Sequence, residues 1–101
     1  AGANIETSDY RGCTPLNGAS FQGHDSIVKL LIKAGANIET SGDDGCTPLN
    51  NASFEGYDSI VKQLIKAGAN IETPNYRGHT PLLNASNQGH DSVVKLLIKA
   101  G

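Results

Sequence analysis

The chain has 101 residues, a formal net charge of −2 and an apolar share of 38%. That length suits one domain, no block of like charges suggests a nucleic-acid arm, and the composition is not that of a disordered chain. No apolar run approaches the ~20 residues needed to span a bilayer, and no signal peptide opens the chain. Aromatic residues are confined to Tyr10, Phe21, Phe54, Tyr57 and Tyr76, so a core must come from Leu, Ile, Val and Ala. Two cysteines are too few for a disulfide framework, and reduced thiols fit an intracellular, cytoplasmic setting. Without an initiator Met, the sequence reads as a processed, excised or engineered segment.

A repeat organises the whole chain. Thr-Pro-Leu begins at Thr14, Thr47 and Thr80, and Ala-Gly begins at Ala1, Ala34, Ala67 and Ala100, both in steps of 33. Residues 1–101 therefore divide into a partial tail (1–6), two full units (7–39 and 40–72) and a short third unit (73–101), all within one domain. The first two units differ at only seven positions: 9/42, 10/43, 11/44, 18/51, 22/55, 24/57 and 30/63. Units so alike must meet nearly the same neighbours, as in a linear stack.

Within the first unit, Thr14 is a good N-cap and Pro15 suits the first helical position, where its missing N–H costs nothing. The helix runs through Leu16, Ala19 and Phe21 and stops at Gly23, a residue at ease in a left-handed C-cap. Asp25 opens a second helix, Ser26 to Ala34, closed by Gly35. Ile27, Val28, Leu30, Leu31 and Ile32 give it a wide apolar face, with Lys29 and Lys33 opposite. Asp25 can pair with Lys29 four residues on. Segment 36–46, rich in Gly, Asn and Asp, reads as an extended loop or hairpin. The later units repeat the scheme. No unit can bury its apolar faces alone, so the units must stack.

The 33-residue unit, with Gly-x-Thr-Pro-Leu, then Ala-Ser-x-x-Gly-His, then Ile-Val-Lys-Leu-Leu-Ile-Lys-Ala-Gly-Ala-Asn-Ile, resembles the ankyrin repeat over essentially the whole chain. The resemblance implies an all-α solenoid of stacked helix-turn-helix units with short β-hairpin loops. It also implies a concave groove, lined by hairpin tips and inner helices, that binds partner proteins. Three departures stand out. Asn17, Asn50 and Leu83 replace the histidine that usually follows Thr-Pro-Leu; Asn can serve its loop-tying role in part and Leu83 cannot. Gly42 replaces the acid or amide found at Asp9 and Asn75, so the middle hairpin should be the loosest. Glu6, Glu39 and Glu72 stand where the family often has an Asn that hydroxylases modify, which argues against that modification here.

The positions that vary between units fall where the resemblance places the groove. At the tips they are Tyr10-Arg11, Asp43-Asp44 and Tyr76-Arg77, followed by Cys13, Cys46 and His79. At the end of each first helix they are Phe21-Gln22, Phe54-Glu55 and Asn87-Gln88. Large apolar groups at solvent-facing sites, with Tyr and Arg beside them, are the residue types of interaction hot spots. These fifteen residues are the candidate protein-binding surface; packing of Phe21 and Phe54 under the hairpins as local core is the competing reading.

No catalytic constellation or Gly-rich phosphate loop is present, and no cofactor is implied. Cys13, Cys46 and His79 form a ladder, but stacked helices lie about 8–10 Å apart, too far for a disulfide or a metal shared along it. His24, Tyr57 and His90 sit in turns and read as structural hydrogen-bonding groups. Six lysines (29, 33, 62, 66, 95 and 99) form a solvated outer face with Asp25, Asp58 and Asp91. The acceptor patterns at Asn51 and Asn84 lie inside helices and read as chance; the two amides are expected to bond to each other or to loop backbone. Gln63, replacing the leucine of Leu30 and Leu96, marks a half-buried position. No polar terminal repeat is visible. The rival reading is therefore a structural, self-assembling or engineered scaffold whose uncapped ends stack on one another.

Overall fold

The computed structural model describes residues 2–101. Among these are six α-helices: α1 Pro15–Gln22, α2 Asp25–Lys33, α3 Pro48–Glu55, α4 Asp58–Lys66, α5 Pro81–Asn87 and α6 Asp91–Ala100. Local chemistry sets their bounds. The hydroxyls of Thr14, Thr47 and Thr80 each accept the backbone N–H three residues on, and a proline follows each cap. Gly23 and Gly56 close α1 and α3 at φ 80°, where a side chain would be strained. The outer helices begin one residue earlier than the sequence suggests. Asp25 lies inside α2 and His24 precedes it without a side-chain cap bond. The carboxylate still sits where the helix dipole favours it. It does not pair with Lys29, and no ion pair within 4.0 Å forms among the described residues.

Helices α1, α3 and α5 pack side by side as an inner row, and α2, α4 and α6 follow as an outer row. The result is a stack of 41 × 25 × 20 Å. Every helix pair presents apolar groups in two directions. Leu16, Val28 and Ile32 face the next unit, and their counterparts Leu49 and Val61 are buried in the same way. Ile60 and Leu64, like Val93 and Leu97, face the preceding unit and are buried there. In the outermost layers these faces are open: Leu30 is 65% exposed on one side and Ile98 64% on the other.

Polar ladders run beside the core. The Asn17 amide donates to the Thr40 carbonyl at 3.2 Å, and Asn50 donates to Thr73 at 3.1 Å. This is the loop-tying role expected of Asn in place of His, and Leu83 is exposed without it. Asn51 and Asn84 do not bond to each other. They donate to Oδ1 of Asn17 (3.3 Å) and Asn50 (2.9 Å), because each lies beside the amide of the preceding inner helix. A second ladder was not anticipated: Glu6 Oε2 accepts the Asn37 N–H at 2.8 Å, and Glu39 Oε2 accepts that of Asn70 at 2.7 Å. Charge-assisted bonds to backbone donors are among the stronger ones, which gives Glu a structural task at these positions.

Candidate functional site

The hairpins are tight turns rather than paired strands, and no strand forms among the described residues. Asp9 N–H donates across its turn to the Cys13 carbonyl at 3.1 Å, and Asn75 to His79 at 2.9 Å. Each side chain also takes two backbone donors: Asp9 Oδ1 accepts from Arg11 and Cys13, and Asn75 Oδ1 from Arg77 and His79. Gly42 has no side chain to do this, its cross-turn bond stretches to 3.4 Å, and Asp44 Oδ1 accepts the Cys46 N–H instead. The middle hairpin is accordingly the least braced within itself. A reason for glycine appears in the stack: a Cβ at position 42 would lie 3.2 Å from both the Arg11 carbonyl and Cys13 Sγ.

The tips are joined to one another through backbone. Asp43 N–H donates to the Arg11 carbonyl at 2.8 Å, and Tyr76 N–H to the Asp44 carbonyl at 3.1 Å. The Tyr76 ring lies against Gly45, where a Cβ would come within 2.5 Å of it. Similar stacking explains the turn residues: Tyr57 packs on Gly23, and His90 on Gly56. His90 Nε2 also donates to the Phe54 carbonyl at 2.9 Å, while Tyr57 contributes packing rather than the expected hydrogen bond.

Between tips and inner helices lies a groove of about 420 Å³. Of the fifteen candidate residues, Phe21, Asp44, Cys46, Phe54, Arg77, His79, Asn87 and Gln88 line it. Phe21 and Phe54 are 48% and 44% exposed, so they are not local core. Tyr10, Arg11, Asp43 and Tyr76 stand on the exposed tips outside the groove, and Arg11 lies 5.7 Å from the Tyr10 ring centroid. That contact and nearby Asp43 and Asp9 raise the Arg11 pKa, with the Tyr10 hydroxyl the largest contributor. Cys13, Gln22 and Glu55 also lie outside it. Three lining residues were not among the candidates: Asn51, Asn75 and Asn84. The change from Gly18 to Asn51 and Asn84 was the signal available for two of them.

Both cysteines are free thiols. Burial, then the Asp44 charge, pushes Cys46 up to about 11, and burial with Asp9 raises Cys13 as well. Protonated thiols are weak nucleophiles, and among the described residues no three His, Cys, Asp or Glu side chains converge as metal ligands. The groove presents two half-exposed rings, several amides, one carboxylate, one guanidinium, the His79 imidazole and the Cys46 thiol.

A family model for ankyrin repeats (three copies) matches residues 1–75 and again residues 39–101. The chain belongs to the ankyrin repeat family. No curated protein matches it. Ankyrin repeats are in general protein–protein interaction modules, and no helix of this one is long and apolar enough to cross a membrane. In this ankyrin-repeat chain the inner-helix aromatics Phe21 and Phe54 lie on the same side as the tip residues Asp44 and Arg77, where one surface could touch all four.

Proposed function

We propose that this ankyrin-repeat chain is a non-catalytic module that binds a partner protein through its hairpin tips and the groove between tips and inner helices. The observation that carries the reading is the half-exposure of Phe21 and Phe54 beside Asp44 and Arg77 in one concavity. Isolated apolar groups on a protein surface are ordinary, but two rings repeated on one wall of a polar-rimmed groove have the make-up of an interface core. Residues 1–101 act as one domain in this reading, in an intracellular setting, with no nucleic acid, membrane or cofactor involved.

A second reading is favoured by the open apolar faces around Leu30 and Ile98: copies of the chain stack end to end as a scaffold. Two variants separate the readings. Phe21→Ala/Phe54→Ala empties the groove of its rings, and Leu30→Glu/Ile98→Glu charges the stacking faces. Affinity capture from a lysate, with circular dichroism and melting to confirm both variants fold, should retain a partner on the parent chain and the Glu variant, and lose it on the Ala variant. If only the chain itself is recovered, and the Glu variant abolishes that, the groove reading is wrong.

A further inference from the structure

The charges along the tips alternate. Arg11, Asp44 and Arg77 occupy equivalent positions of successive turns, and Asp43 reinforces the middle one. All are exposed. Asp44 and Arg77 line the groove without forming an ion pair, and Asp44 Oδ1 accepts the Cys46 N–H. Backbone bonds between tips hold the three positions in fixed order. The tip edge therefore carries a sign sequence of plus, minus, plus, in which Asp44 and Arg77 line the groove and Arg11 stands on the exposed tip beyond it, with a spacing set by adjacent packed helices at about 8–10 Å.

We propose that the occupant of this groove and of the tip edge beside it is an extended, polyproline II segment carrying an acidic, a basic and an acidic side chain at every third residue, the last two meeting Asp44 and Arg77 in the groove and the first meeting Arg11 on the tip; this rests on the groove reading above. The geometry selects the conformation. A polyproline II chain returns to the same face every three residues, about 9.3 Å along its axis, which matches the repeat. A β-strand returns every two residues, after about 6.7 Å, and misses it. An α-helix comes back after seven residues at about 10.5 Å, but its backbone is already hydrogen-bonded internally. The polyproline II backbone has no internal bonds, and the exposed amides of Asn87 and Gln88 on the groove wall offer it donors and acceptors. Phe21 and Phe54 then supply the apolar surface on which proline rings pack.

The test uses fluorescein-labelled synthetic peptides and fluorescence anisotropy. One has the core Glu-Pro-Pro-Lys-Pro-Pro-Glu, a second reverses the charges to Lys-Pro-Pro-Glu-Pro-Pro-Lys, and a third shortens the spacing to Glu-Pro-Lys-Pro-Glu. The first should bind about tenfold more tightly than either other at low salt, with the gap narrowing as salt screens it. Asp43→Lys/Asp44→Lys should remove that preference, and Phe21→Ala/Phe54→Ala should weaken all binding. Equal binding of the first two peptides, still lost in the Phe variant, overturns the charge register while leaving the groove as a binding site. A preference that survives both variants places binding elsewhere and overturns this proposal together with the groove reading. Absence of binding by the first peptide at millimolar concentration also overturns the proposal.

Discussion

Helices α2 and α4 differ at one residue in nine, Leu30 against Gln63, yet they live in different surroundings. In α2 only Val28 is buried, whereas α4 buries Ile60, Val61 and Leu64. The extra burial belongs to neighbours rather than to the helix itself: α4 has an outer helix on either side and α2 has α4 alone. Stability in such a stack is approximately a sum of unit terms and nearest-neighbour terms, so the same side chain carries different weight in different layers.

The largest test of that difference is a pair of truncations. Leu64→Ala should cost about 3–4 kcal/mol in urea denaturation and Leu31→Ala, at a half-buried site, about 1–2 kcal/mol. Equal costs would mean that the layers are energetically equivalent despite their burial. Next in size are two glycines with nearly the same φ, Gly45 at 79° and Gly78 at 80°. Ala at position 78 meets nothing within 4 Å and should cost about 1–2 kcal/mol from backbone strain alone. Ala at position 45 must also displace the Tyr76 ring, so its melting temperature should fall clearly further.

A smaller effect of opposite sign is expected at Ser53, whose buried hydroxyl has no hydrogen-bond partner, whereas Ser86 is exposed. Ser53→Ala should stabilise the chain by about 1 kcal/mol and Ser86→Ala should leave it unchanged, read by thermal melting. The smallest effect concerns pH. The folded state holds the Cys46 proton up to about 11, while the unfolded chain releases it near the ordinary thiol value. Between those two the native state binds more protons, so stability falls as pH rises through that window and the slope ends near 11. Cys46→Ser should flatten the decline more than Cys13→Ser does, because Cys46 is the more strongly perturbed thiol.

The helices were legible in the sequence because their boundaries are local. Threonine caps, first-position prolines and left-handed glycines act within a few residues of themselves, and the 33-residue period supplied the stacking. The exposed rings of Phe21 and Phe54 and the weak self-bracing of the Gly42 turn followed from comparing units position by position. What escaped were relations between units. Glu39 recurs with Glu6 and Glu72, yet nothing in that recurrence says its carboxylate bonds the Asn70 N–H of the following unit. Asn51 and Asn84 were recognised as bonding groups but assigned the wrong partners, because the sequence places them one above the other and does not show that the preceding amide intervenes. Uncapped end faces were anticipated because no polar terminal repeat is visible, but how much each layer buries was not, since repeated residues are spelled alike in every layer.

Two of the bonds that join the tips run from peptide group to peptide group, Asp43 to Arg11 and Tyr76 to Asp44, and a side-chain bond between turns runs from the Asn75 amide to Cys46 Sγ at 3.7 Å. Replacing Tyr10, Arg11, Asp43 or Arg77 therefore removes none of the bonds that align one turn with the next. Mutational drift, or a library built at those positions, can rewrite charge and shape on this edge at little thermodynamic cost, while Gly42 and Gly45, pressed against Cys13 and Tyr76, leave far less room for change.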